Sequence, residues 1–287
     1  MAAESTAGGA NPNAAASARG GADGSAAAFF DLDRTLMQGS SAFQFGRAAY
    51  RAGLLGRRQL LADGWADARF RLRGATDDHT HALRGRISAS LQGTSVRELQ
   101  RLGADVLAGI LPRIYPQVLA LAHRHQDAGR RVYIVTAASH ELAEILARVL
   151  GFDGAIGSQF SEVIDGVYTG RPGAMFVYGA DKASAIVELA RREGLALQSS
   201  YAYSDSASDL PMLRAVGHPV AVNPDRELAA LARGEGWEVL RLDRLGRRLK
   251  AASASAGAAV LGALLSAALL DRSRVRWRGR RSTRGCT

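Results

Sequence analysis

Cysteine is nearly missing: the 287 residues include one, Cys286, beside the C-terminus. This excludes an internal disulfide framework and any cysteine-built zinc site. A secretory leader is also missing. Residues 1–25 (MAAESTAGGANPNAAASARGGADGS) have no basic start followed by an apolar run, so they read as a disordered leader on a cytoplasmic chain. Charge excess is missing from the body of the chain. The formal charge is +10, yet 241–250 alone carry net +4 and 271–287 net +6. The remainder is neutral overall and offers a polyanion no general attraction, so no nucleic-acid partner is expected.

Large apolar content is present. Hydrophobic residues make up 47%, enough at this length for one or two domains with a real core. Order is expected from Ala26, where AAAFFDLD ends an apolar strand on two carboxylates. From about 40 to 112 the pattern is helical, with Leu60, Leu61, Trp65, Ala68 and Leu72 at three-to-four spacing and Val96, Leu99, Leu102, Val106 and Leu107 likewise. No good strand is visible there.

Alternation then returns. A helix from about 116 ends near Gly129, a strand covers Arg131–Thr136, and a helix from about 140 stops at Gly151. Residues 163–168 read as a hairpin on Asp165-Gly166. A helix over 181–193 stops at Gly194. Strands at 201–204 and 219–222, a helix at 225–233 and a strand at 237–242 complete the pattern. This predicts an α/β fold: a Rossmann-like, doubly wound, mainly parallel sheet with helices on both faces. The core comprises 26–36 and 113–245, with 37–112 inserted after the first strand as a helical cap.

Four segments carry candidate chemistry. Asp31-Leu32-Asp33-Arg34-Thr35-Leu36 places Asp31 and Asp33 just beyond a strand end, at the sheet edge where open α/β sheets bind ligands. One carboxylate could attack phosphorus while the other handles a proton. Their mutual repulsion calls for a hard cation such as Mg2+. Thr136, followed by Ala137, Ala138 and Ser139, supplies a hydroxyl and backbone N–H groups at a strand-to-helix junction, an anion cradle or simply a helix cap. Lys182 stands at a helix start, against the macrodipole, and so wants another reason to be there, of which a phosphate is one; a solvated surface lysine is the plainer alternative. Ser204-Asp205-Ser206-Ala207-Ser208-Asp209-Leu210-Pro211 again puts two carboxylates after a strand.

Together, in this order, DLDRTL, VYIVT, GADK and SDSASDLPML resemble the haloacid dehalogenase-like (HAD) superfamily, and within it the phosphoserine phosphatase-like subfamily IB, over about 26–242. The resemblance implies a C1-type cap and a phosphatase. Asp31 would be the nucleophile forming an aspartyl-phosphate, and Asp33 the acid and then the base. Mg2+ would be held by Asp31, the Asp33 carbonyl and Asp205, with Asp209 supporting the metal site through water or by orienting Lys182. Thr136 and Lys182 would bind phosphoryl oxygens with N–H groups near Leu32 and Ala137. The substrate implied is a small phosphorylated metabolite. Two departures bear on which one: position 40 is Ser where phosphoserine phosphatases carry a substrate-binding Glu, and Ser208 stands where Asn is common. Rival readings are a membrane-tethered regulatory or binding protein with little turnover, and a phosphotransferase.

Paired histidines (His79 with His81, His123 with His125) are two apart and do not share a helix face, which argues against a histidine metal site. Residues 251–270 (AASASAGAAVLGALLSAALL) carry no charge and are flanked by Arg and Lys. A helix of that length matches a bilayer core of about 30 Å. It is expected to be a transmembrane or membrane-associated helix, or else an oligomerisation helix, followed by the basic tail 271–287.

Overall fold

The computed structural model describes residues 25–53, 85 and 87–242. The expectations for the leader, for most of the cap including His79 and His81, and for 251–270 and the basic tail lie outside these residues. The C-terminal apolar helix is therefore not part of the fold described. Among the described residues no helix is long and apolar enough to cross a membrane.

Strand β1 (Ala27–Phe30) is buried along its whole length. It pairs in parallel with β2 (Arg131–Ser139) on one side and with β6 (Tyr201–Ser204) on the other. A strand with neighbours on both edges and helices on both faces has no polar side, and its Ala-Ala-Phe-Phe sequence suits that position. Beyond β2 lies β3 (Gly154–Ser158); beyond β6 lie β7 (His218–Val222) and β8 (Glu238–Leu240). The resulting six-stranded sheet has the order β3-β2-β1-β6-β7-β8, and every pairing in it is parallel. The winding direction reverses between β1 and β6. The carboxyl ends of these two strands therefore border the crevice in which doubly wound folds take ligands.

The helices begin and end where their sequences provide caps. Helix α1 (Ser41–Arg51) starts at Ser40, whose side chain accepts from the Phe43 N–H. Helix α2 (Val96–Arg101) has a reciprocal capping box between Ser95 and Glu98, and α3 (Gly103–Ile110) follows it. Pro116 opens α4 (Pro116–Asp127). Ser139 caps α5 (His140–Leu150), which Gly151 closes in the left-handed conformation. Helix α6 (Ala180–Glu193) ends the same way at Gly194. After β6 come the short α7 (Leu210–Arg214) and then α8 (Arg226–Gly234), which is capped by Asp225. One core layer gathers Phe29, Val135, Ile186, Leu189, Met212, Leu213 and Leu228. On the other face Phe30 stacks on Tyr203 with ring centroids 4.3 Å apart.

Strand β3 was not anticipated, because a Gly-Ala-Ile-Gly-Ser run has poor strand propensity. Packing explains the second glycine: a Cβ at Gly157 would lie 2.7 Å from the His140 Cα, so the strand admits no side chain where α5 begins. Strand β2 runs three residues further than expected, through a register shift between Val135 and Ser139. The hairpin forms apart from the main sheet, as β4 (Ser161–Ile164) and β5 (Val167–Pro172). Asp165 and Gly166 both have positive φ, 51° and 76°, as a type I′ turn requires. Residues of the inserted segment dock on this hairpin, Gly93 N–H donating to the Tyr168 carbonyl at 3.0 Å and Val96 N–H to that of Gly166 at 2.9 Å.

Candidate active site

Both acidic motifs leave the sheet at the reversal point. After β1 the chain turns sharply: the Leu36 N–H donates to the Asp31 carbonyl at 3.2 Å and the Met37 N–H to that of Leu32 at 3.0 Å. Arg34, in the middle of this turn, has φ +64°, a left-handed conformation that is costly for a non-glycine residue. The turn buries Asp31 and swings Asp33 towards α1. There one Asp33 oxygen accepts from the Ser41 N–H at 2.6 Å and the other from the Ser41 hydroxyl at 3.1 Å. Asp33 thus sits on a helix N-terminus, a favourable place for negative charge.

Lys182 reaches the same pit from the first turn of α6. Its Nζ donates to Asp31 Oδ1 at 2.6 Å and to Asp209 Oδ2 at 2.7 Å. All three side chains are almost completely buried. Lys182 is therefore not a solvated surface lysine: it is buried between two carboxylates. Asp209 also accepts from the Ser204 hydroxyl at 2.7 Å. Asp205, the first residue beyond β6, is buried and faces Arg34, with Nε 3.1 Å from Oδ2. That contact is an ion pair without hydrogen-bond alignment.

The charges in this pit do not balance. Burial pushes the Asp31 carboxyl up to about 8; Lys182 pulls it down, while Asp209, Asp205 and Asp33 push it up. Burial likewise raises Asp205 to about 7, opposed by Arg34. Burial works against the charge on Lys182, but Asp209 and Asp31 more than offset it and hold the ammonium firmly protonated. Carboxylates outnumber the two cations, and Asp225 adds a further negative charge near Asp205. Among the described residues no three His, Cys, Asp or Glu side chains group as a metal cage. The set that is present, two buried carboxylates at adjacent strand ends, fits Mg2+, which takes one or two carboxylates and fills its octahedron with water and phosphate oxygens.

Thr136 lies on β2, beside β1, and is buried; its hydroxyl accepts from the Ala138 N–H at 3.1 Å. Leu32 and Ala137 follow the paired portions of β1 and β2 at the same edge of the sheet. The cap of α5 is Ser139, not Thr136. Two residues that hold the site were given no role on sequence grounds, Ser41 and Ser204. Ser204 lies inside the quoted motif. Ser41 had only the Ser-Ser step at a helix start as its signal. His125 is occupied elsewhere: its Nδ1 accepts from Arg130 at 2.9 Å, so Nε2 carries the proton towards the Tyr203 hydroxyl at 2.7 Å. A cavity of 530 Å³ is lined by Leu91 and Leu99 of the inserted segment, by Ser139 and Glu141, and by hairpin residues including Tyr168; Asp31, Asp33, Lys182, Asp205 and Asp209 are not among its lining.

The model of the haloacid dehalogenase-like hydrolase family matches residues 28–214. The chain belongs to the haloacid dehalogenase-like hydrolases. Within that family it stands with the phosphatases. It is 42% identical over 256 residues to the phosphoserine phosphatase SerB1 of Mycobacterium tuberculosis, covering 88% of this chain and 83% of that protein. Among solved structures it is similar to a protein of unknown function from Bordetella pertussis Tohama I, at 28% identity and a TM-score of 0.66, over 75% of this chain and 97% of the other. A substrate-bound phosphoserine phosphatase shares the fold at 19% identity and a TM-score of 0.57, over 78% and 97% of the two chains. Phosphatases of this family generally use Mg2+.

Proposed function

We propose that this chain is a Mg2+-dependent phosphomonoester hydrolase that works through an aspartyl-phosphate on Asp31 and acts on a small phosphorylated metabolite. The observation that carries the reading is the buried chain Asp31–Lys182–Asp209, with Asp205 at the neighbouring strand end. Structural ion pairs are seldom built with so much uncompensated negative charge, whereas phosphoryl transfer needs cations gathered around anionic oxygens.

In the first half-reaction an Asp31 carboxylate oxygen attacks phosphorus and the ester P–O bond breaks. Asp33 enters this step protonated, with the Ser41 hydroxyl then accepting from it rather than donating, and gives that proton to the departing alkoxide. In the second, Asp33 takes a proton from water as the water oxygen attacks phosphorus. Inorganic phosphate leaves and the Asp31 carboxylate is restored. Lys182, Thr136 and the N–H groups near Leu32 and Ala137 bind the peripheral oxygens of the transferring group. Mg2+, held by Asp31, Asp205 and the Asp33 carbonyl, would neutralise charge on those oxygens. Asp209 and Ser204 keep Lys182 aimed at Asp31.

The substrate is proposed only as a class. SerB1 is named for phosphoserine, but Ser40 here caps α1 and brings no carboxylate to meet a substrate amine. The test is phosphate release from an aryl phosphate and from O-phosphoserine, with Mg2+ and with chelator. Release that chelation abolishes and Asp31→Asn removes, at unchanged circular dichroism and unfolding temperature, is the expected result. Turnover by a folded Asp31→Asn protein would overturn the mechanism.

A further inference from the structure

We propose that Arg34 is the resident counter-ion of Asp205 in the metal-free protein and that a divalent cation displaces it on binding. The inference rests on the metal reading of Asp205 given above. Two cations serve the buried carboxylates, and they are placed very differently. The Lys182 side chain is 4% exposed and donates to two carboxylates at 2.6 and 2.7 Å. It cannot leave without stranding both. The Arg34 side chain is 43% exposed and meets Asp205 through one ion pair that lacks hydrogen-bond alignment. Its head can swing into water at little desolvation cost, because it is already half there.

The backbone points the same way. Arg34 holds a left-handed φ of +64° in the tight turn between Asp31 and Leu36. This conformation projects a long cationic side chain from the β1 motif across to the β6 motif, to the carboxylate oxygen that has no hydrogen-bond donor. A metal approaching Asp205 therefore meets a site already neutralised by a guanidinium. Entry is an exchange of one cation for another, and Arg34 sets part of the metal affinity.

The experiment is Mg2+ titration by calorimetry on the full chain, wild type against Arg34→Gln and Arg34→Lys. Arg34→Gln is expected to bind Mg2+ about fivefold more tightly, the scale of one partly exposed ion pair removed from competition. Arg34→Lys, which keeps the charge on a different head group, should lie between. Unchanged or weaker binding in Arg34→Gln overturns the exchange. A second readout separates displacement from simple charge removal. The Arg34 Nε–H nuclear magnetic resonance signal, identified by its loss in Arg34→Gln, should move to the position of a solvated arginine as Mg2+ saturates the wild-type protein. A signal that stays put overturns the exchange even if affinity rises. No Mg2+ uptake by the wild-type chain refutes the metal reading itself, and this inference with it.

Discussion

Replacing Lys182 with Met removes one charge and keeps much of the volume, which makes it a sharp test of the electrostatics of the pit. Lys182 bridges Asp31 and Asp209, and all three groups are buried. Breaking a buried pair by deleting one partner typically costs about 3–5 kcal/mol, because the remaining charge is left uncompensated. That is a large share of the roughly 5–15 kcal/mol by which a domain is stable. The sign of its pH dependence follows from the native state. Burial already lifts the Asp31 carboxyl to about 8 even with Lys182 pulling it down. Without the ammonium its native-state affinity for a proton rises further, while the unfolded chain keeps an ordinary aspartate. The native state then binds more protons than the unfolded state from about pH 4 upwards, so stability falls as pH rises. Wild-type Lys182 stays charged throughout that window, since its own titration lies higher still. Because both native proteins hold the Asp31 proton below about pH 8, the difference between them opens only above it. Urea unfolding in chelator at about pH 7 and about pH 9.5 should show the smaller deficit for Lys182→Met at the lower pH and the full deficit at the higher. Adding Asp209→Asn to Lys182→Met should recover part of it. A deficit below about 1 kcal/mol at both pH values, the scale of a solvated surface pair, would refute the view that these charges are buried and interdependent.

Two further outcomes follow. Mg2+ binding should weaken as pH falls from 8 towards 5, because Asp31 and Asp205, raised by burial to about 8 and about 7, take up protons that the metal must displace; calorimetry showing a flat affinity over this range would contradict it. Gly157→Ala should destabilise the protein by about 1–3 kcal/mol through overpacking, since its Cβ would sit 2.7 Å from the His140 Cα; an unfolding temperature equal to wild type would show that α5 yields freely.

Much of the architecture was readable from local chemistry. Asp165-Gly166 specified its turn because few residues accept positive φ twice in succession. Gly151 and Gly194 marked helix ends for the same reason. The buried strand β1 showed as an unbroken apolar run because it has a neighbour on each side. Strand β3 did not show, because its glycines answer to the approach of α5 rather than to strand propensity. The acidic motifs were visible as carboxylates after strands. Their connections were not, since the bond from Lys182 to Asp31 spans 151 positions of sequence. Arg34 is the clearest case of this kind. Nothing local distinguishes an arginine in a turn that reaches a carboxylate from one that folds away, and only the packing of β1 against β6 puts Asp205 within its reach.

The central claim is that Asp31 is the atom donor to phosphorus. An enzyme turning over an aryl phosphate with Mg2+, quenched and treated with borohydride, converts an aspartyl-phosphate to homoserine, which peptide mass spectrometry locates. The account predicts homoserine at position 31, dependent on substrate and absent without Mg2+. Homoserine at Asp33, Asp205 or Asp209 with none at position 31, under conditions where phosphate is released, would contradict it.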